Sequence, residues 1–123
     1  MIVLDEEIHG PSIAKPITMW YAGRVISIVA LRPRTVVKDD AVPKLLRLVP
    51  GPTFVTINVS DFWRKIPADS RYAVICVDVG ASQVLLIPEL LRHLFRASQW
   101  KTKADRMGKV ARVRPGRIGY YEA

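Results

Sequence analysis

The stretch that decides the fold reads Thr-Phe-Val-Thr-Ile-Asn-Val-Ser-Asp-Phe-Trp, residues 53–63, and directly follows a Pro-Gly-Pro break at residues 50–52. Its first half is apolar and β-branched, which predicts a short buried strand. The strand then runs into the polar side chains of Asn58, Ser60 and Asp61. Because ligands of open α/β sheets bind outside the carboxyl ends of parallel strands, chemistry is expected at these side chains. The alternative is that Ser60 or Asp61 only caps a short following helix.

Apolar segments alternate with breakers along the rest of the chain. Strands are predicted for three short segments: residues 1–4, 25–31 and 72–78. Helices are predicted where apolar side chains recur at helical spacing: residues 12–22, 41–49 and 88–98. A closing hairpin is predicted from two final segments: residues 110–114 and 117–121. The expected fold is therefore a single α/β domain, residues 1–123, with a mostly parallel central sheet and a C-terminal antiparallel hairpin.

Breakers and capping residues set the expected ends of these elements. Ser12 is predicted to cap the first helix, and Gly23 suits the position after its end. A break at residues 32–34 is expected to end the second strand. Either Asp39 or Asp40 is predicted to cap the second helix.

Composition favours a folded protein of the cytoplasm. Half of the 123 residues are hydrophobic, and no apolar run approaches the roughly 20 residues that cross a bilayer, so no membrane association is expected. The apolar start at residues 1–4 is followed by acidic residues, the reverse of the charge order in a signal peptide. The single cysteine, Cys76, lies in an apolar run, which fits a reducing compartment.

The formal net charge of +8 is concentrated in the C-terminal third. The basic residues of this region are Arg92, Arg96, Lys101, Lys103, Arg106, Lys109, Arg112, Arg114 and Arg117. Such a segment is the electrostatic footprint of a nucleic-acid-binding protein, with RNA as the expected partner. The alternatives are a solvated basic surface and a face that docks an acidic protein. The residues expected to position a substrate are Asn58, Ser60, Arg106 and Lys109.

Acidic residues stand at three predicted element ends. Asp5 and Glu6 follow the first strand, Asp39 and Asp40 open the second helix, and Asp61 follows the third strand. A parallel sheet brings these positions to one edge, where two carboxylates about 4 Å apart repel by roughly 4 kcal/mol at an effective dielectric near 20. The cluster must therefore take up protons or a cation. Oxygen ligands of this kind favour Mg²⁺ or Mn²⁺.

Other catalytic chemistries lack their signatures. His9 and His93 stand alone, without zinc-ligand spacing, and there is neither a Gly-rich phosphate loop nor a nucleophile elbow. A carboxylate-held divalent metal beside a basic surface instead indicates metal-assisted phosphodiester hydrolysis. A phosphoacceptor signalling domain also carries an early acidic pair and a later aspartate, but the late lysine after a strand is missing and the net charge is basic.

Three segments together carry a family resemblance. They read Val3-Leu4-Asp5-Glu6-Glu7, then Asp39-Asp40-Ala41-Val42, then Val55-Thr56-Ile57-Asn58-Val59-Ser60-Asp61-Phe62. In this order and spacing, over residues 1–80, the chain resembles the PIN-like ribonucleases, especially the small bacterial subgroup related to VapC-type toxins.

The resemblance implies a PIN-like three-layer fold and Mg²⁺- or Mn²⁺-dependent endoribonuclease activity. It also implies a toxin that pairs with a cognate antitoxin and commonly forms a homodimer. Carried over by position, the catalytic, metal-binding acids are Asp5, Asp39 and Asp61. Glu6 is a helper in metal binding, and Asp40 takes the place of Asp39 if the helix begins one residue later.

The chain departs from the family pattern at two positions. Glu7 stands where the family has Asn, and Asn58 stands where many members have Asp, with one extra residue before Asp61. Asn58 could serve as a neutral oxygen ligand or orient a substrate phosphate. The loss of one carboxylate leaves an alternative function: a catalytically weakened module that binds RNA or a protein through the basic C-terminal third.

Overall fold

Six strands form one sheet in the computed structural model, which describes residues 1–32 and 37–123. They are β1 (Ile2–Leu4), β2 (Val25–Ser27), β3 (Thr53–Thr56), β4 (Ala73–Val77), β5 (Lys109–Arg114) and β6 (Arg117–Glu122). The strand order is β2-β1-β3-β4-β5-β6, with β1 to β5 parallel and β6 antiparallel to β5. The predicted α/β class, mostly parallel sheet and C-terminal hairpin are therefore confirmed.

Helices cover both faces of this sheet. They are α1 (Pro11–Thr18), α2 (Val42–Leu46), α3 (Val59–Phe62), α4 (Ile87–Arg96) and α5 (Lys103–Arg106). α1 and α4 pack on the face that carries Leu4 and Val55, whereas α2 and α3 pack on the face that carries Val3 and Phe54. Every residue of β3 and β4 is buried, which explains why neither strand alternates between core and solvent positions.

The strand order creates a switch point between β1 and β3. The chain leaves β1 for β2 on one side and then crosses to β3 on the other side, so the connections diverge at this seam. Leu4 is in register with Val55, and both strands end at the same sheet edge. In doubly wound sheets of this order, the crevice outside the carboxyl ends of these strands is the usual ligand position. The polar residues after β1 and β3 lie there.

Two predicted elements are shorter than the sequence pattern indicated. The apolar segment 25–31 is a strand only to Ser27, whose hydroxyl accepts the Val29 N–H (3.2 Å) and starts a 3₁₀ turn, Ile28–Leu31. The predicted break at residues 32–34 lies partly outside the described residues. The second helix begins as a 3₁₀ turn, Asp39–Ala41, before α2, and neither aspartate caps it through its side chain.

The predicted start and end of the first helix were also wrong. α1 starts at Pro11 after Gly10, without a side-chain cap from Ser12, because proline is preorganised for the first helical position. It ends at Thr18, so Gly23 does not lie just after it. In the described part of the chain, no helix is long and apolar enough to cross a membrane.

The packing of α4 gives a stability prediction. Leu91 is 1% exposed in the core between α4 and the sheet, so Leu91→Ala should lower the free energy of unfolding by about 2–5 kcal/mol. Leu85, 66% exposed in the turn before α4, is the matched control, and Leu85→Ala should change it by less than about 0.5 kcal/mol. Urea unfolding measures both values, and equal losses would contradict this placement of α4.

Candidate functional site

Asp5 is fixed across the β1–β3 seam by hydrogen bonds. Its backbone N–H donates to the Val55 carbonyl (2.9 Å), which continues the strand pairing past Leu4. One carboxylate oxygen accepts the hydroxyl of Thr56 (2.6 Å), and the other accepts the backbone N–H of Glu6 (2.8 Å). Thr56 is fully buried at the end of β3, so it holds the Asp5 carboxylate in one orientation.

The same hydroxyl of Thr56 also organises the start of α3. Its oxygen accepts the backbone N–H of Asn58 (3.0 Å). The Asn58 side-chain oxygen caps α3 by accepting the Asp61 N–H (3.3 Å), and its amide donates to the Asp61 carboxylate (2.7 Å). The cap is therefore Asn58, and the alternative that Ser60 or Asp61 caps this helix was wrong. Ser60 instead donates its hydroxyl to the Asn58 oxygen (3.3 Å).

Asp39 and Asp61 line one cavity, and both residues are exposed. The two carboxyl groups lie within hydrogen-bonding reach of each other. Desolvation, this hydrogen bond, and repulsion from Asp61, Asp5 and Glu7 raise the pKa of Asp39 from 3.8 to about 6. The hydrogen bond from Asn58 lowers the pKa of Asp61 instead. Of the two, Asp39 is therefore the group that takes up a proton first as the pH falls.

Glu6 contacts the segment that precedes Asp39. Its side-chain oxygen accepts the backbone N–H of Val37 (3.1 Å), in the segment that leads into the turn bearing Asp39. Asp40, next along that turn, is exposed and lines the same cavity as Asp39 and Asp61, of about 430 Å³. Asp39 is exposed as well, but its pKa is raised in part by a hydrogen bond with Asp61.

A hydrogen-bonded acidic cluster results, which we call the acidic site: Asp5, Thr56, Asn58, Asp61 and Asp39. The sequence pattern did not single out Thr56, although it is the polar residue that ends the apolar run of β3. Lys65 lines the cavity and its charge favours ionised Asp61.

A further acid near this edge was missed. Asp78 directly follows β4, and its carboxylate accepts two bonds from the Arg112 guanidinium (2.9 and 2.6 Å), with Arg114 at 4.0 Å. An acid immediately after an apolar strand was the signal that could have identified it. Because two arginines lie at this one carboxylate, the part of the edge next to β4 and β5 carries a net positive charge.

The structure does not bring Arg106 and Lys109 to the acidic site. Lys109 is the first residue of β5, and Arg106 lies in the helix before it, so both stand at the amino ends of the parallel strands. The Arg106 guanidinium donates to the carbonyls of Trp100 and Lys101 (2.9 and 3.0 Å), and the Lys109 ammonium donates to that of Gln99 (2.8 Å). Both side chains are thus engaged with the protein itself.

The acidic site offers hard oxygen donors and no soft ones. Across residues 1–32 and 37–123, no three side chains of the His, Cys, Asp and Glu types are grouped so that they could hold a metal ion together. Asp39 and Asp61 form a pair, while the Asp5 carboxylate is turned towards Thr56. Two carboxylates of this kind suit a hard cation that keeps much of its water.

Comparison of the chain with protein-family models, with curated proteins and with solved structures gave no match. Its class therefore rests on its own geometry. The chain is an α/β protein with an acidic cluster at the β1–β3 switch point of a mostly parallel sheet.

The raised pKa of Asp39 predicts a pH dependence of stability. The folded state binds this proton more tightly than the unfolded chain, so the contribution is complete below pH 3.8 and is lost as the pH rises through about 6. Asp39→Asn keeps the side chain neutral, and this variant should be more stable than the wild type above pH 6, with the difference closing towards pH 3.8. Urea unfolding over this range measures it.

Asp40→Asn is the matched control, because it removes the same charge from the adjacent exposed residue. The same pH-dependent difference in both variants would contradict a specific pairing of Asp39 with Asp61.

Proposed function

We propose that this chain is a divalent-metal-dependent endoribonuclease with a PIN-like fold. The observation that supports this most is the Asp39–Asp61 pair, in which a carboxyl group with a pKa of about 6 faces an ionised carboxylate. Carboxylates crowded in this way at a ligand-binding edge favour a proton or a cation between them. Perturbed acids in a cavity are also characteristic of functional sites.

Asp39 and Asp61 would hold Mg²⁺ or Mn²⁺, and Asp5 would add its charge from the end of β1. Mg²⁺ is commonly bound through one or two carboxylates plus water and substrate phosphate, so the paired geometry fits the chemistry of the ion. When bound, such an ion polarises a phosphate and lowers the pKa of an attacking water.

The chain's own residues prepare this arrangement. Asn58 fixes the orientation of Asp61 through its amide, and Thr56 fixes Asp5 through its hydroxyl. Asn58 therefore acts as a positioning residue, which gives a physical role to the amide that replaces the family's carboxylate. Because Asp39 loses its proton near pH 6, cleavage should rise as the pH passes through this value.

RNA is the proposed substrate because the net charge of +8 favours a polyanion. Lys65, beside Asp61, is the cation best located to hold an RNA phosphate near the acidic site. The resemblance to VapC-type toxins supports a cytoplasmic toxin with a cognate antitoxin, acting as a homodimer. The three segments that carry this resemblance end β1, open α2 and join β3 to α3.

RNA cleavage tests the proposal. Wild-type protein should cleave single-stranded RNA only with added Mg²⁺ or Mn²⁺, and Asp61→Asn or Asp5→Asn should reduce the rate by on the order of 100-fold or more, since each removes a carboxylate from the site. Glu122→Gln is the matched control, because Glu122 is an exposed acid opposite Lys109, at the far edge of the sheet. Gel analysis of end-labelled RNA measures the rates.

Cleavage that persists in excess EDTA would contradict the proposal, as would equal rates in Asp61→Asn and the wild type. Salt-dependent RNA binding without metal-dependent turnover would support the alternative, a binding module that has lost catalytic strength.

A further inference from the structure

A second cavity lies at the edge of the sheet opposite to the acidic site. Its volume is about 560 Å³, within the range of small-molecule sites. Residues 19–23 form one wall, between the end of α1 and the start of β2, and the last turns of α4 form another. Because β2 and β5 begin here, this cavity stands at the amino ends of the parallel strands, and we call it the amino-edge pocket.

Positive charge dominates the amino-edge pocket. Four of its lining side chains are cationic: Arg92, Arg96, Lys101 and Arg106. Among the residues that the structure describes, no acidic side chain lines the cavity. Unbalanced charge of one sign in a concave, partly desolvated surface concentrates ions of the opposite sign. The pocket is therefore selective for an anion.

Arg106 is the central cation of the pocket. It is only 7% exposed, and its guanidinium carbon lies 4.1 Å from the centre of the Phe95 ring. One terminal nitrogen donates to the carbonyls of Trp100 and Lys101, but the buried Nε has no hydrogen-bond partner among the residues that the structure describes. In the described part of the chain, no carboxylate forms a salt bridge with this guanidinium. A buried guanidinium without a counter-charge is costly, and an anionic ligand would supply that charge.

The other wall of the pocket is aromatic. Trp20 and Tyr21 are half-buried lining residues, and both meet Phe95 edge to face, with ring centroids 5.6 and 6.0 Å apart. Within residues 1–32 and 37–123, the buried indole N–H of Trp20 has no hydrogen-bond acceptor. A planar ligand would pack on this wall.

We propose that the amino-edge pocket binds a nucleoside 5′-monophosphate unit. The phosphate lies among Arg106, Arg96 and Lys101, and the base packs against Trp20 and Tyr21. Two sources share this chemistry, a free nucleotide and the 5′-phosphorylated end of an RNA. The proposal does not depend on catalysis at the acidic site, because the two sites occupy opposite edges of the sheet and share no residue.

Titration with AMP in EDTA tests the proposal through binding alone. The indole N–H signal of Trp20 should shift in a saturable manner, and calorimetry should give an affinity at least about tenfold higher than for inorganic phosphate or adenosine, because each probe lacks one half of the ligand. A 5′-phosphorylated oligoribonucleotide that displaces AMP, where its 5′-hydroxyl counterpart does not, would identify an RNA end as the source. If neither oligoribonucleotide displaces AMP, the ligand of the pocket is the free nucleotide.

Arg96→Gln should weaken AMP binding by about fivefold or more, because it removes an exposed lining cation without disturbing the core. Arg117→Gln is the matched control, since Arg117 is an exposed arginine on β6 outside the pocket and its replacement changes the net charge equally. Arg106→Lys should weaken AMP binding more than Arg96→Gln does. If Arg106→Lys does not fold, Lys101→Gln takes its place in the test. Absence of saturable AMP binding, or equal loss in Arg96→Gln and Arg117→Gln, would overturn the proposal.

Discussion

The hydroxyl of Thr56 joins the two strands on which the acidic site depends. It donates to the Asp5 carboxylate after β1 and accepts the Asn58 N–H after β3, so one buried group sets the positions of both strand ends. Asn58 extends the connection to Asp61, which meets Asp39 from the turn before α2. Strand pairing brings the acids to one edge, but this chain of hydrogen bonds determines how their carboxylates face one another.

The two candidate sites, at opposite edges of the sheet, carry unbalanced charge of opposite sign. At the carboxyl edge, Asp39 and Asp61 come from separate segments, and their proximity helps to raise the pKa of Asp39. At the amino edge, Arg106 is buried among further cations and has no carboxylate partner in the described residues. The acidic site and the amino-edge pocket each concentrate charge of one sign. Each site therefore favours a ligand of opposite charge, for which we propose a divalent cation at the acidic site and a phosphate at the amino-edge pocket.

Local patterns predicted much of the fold, because parallel strands buried on both faces are β-branched or apolar and carry no charge, as in β3 and β4. They did not predict the strand order, which depends on how the layers pack, nor the early end of β2, where the hydroxyl of Ser27 competes with strand pairing. Acids at strand ends were visible in the sequence, but the bridging role of Thr56 was not, because it depends on the register of β1 with β3. The burial of Arg106 could not be predicted either, because a residue in a basic run is expected to be solvent-exposed until its packing against Phe95 is known.

The most direct test of the account is the titration of the Asp39 carboxyl carbon by nuclear magnetic resonance, with and without Mg²⁺. We expect a pKa of about 6 without divalent ions, because Asp39 is partly desolvated and close to Asp61, and a lower pKa in Mg²⁺, because the cation competes with the proton. A pKa near the ordinary value of 3.8 that is unchanged by Mg²⁺ would contradict it.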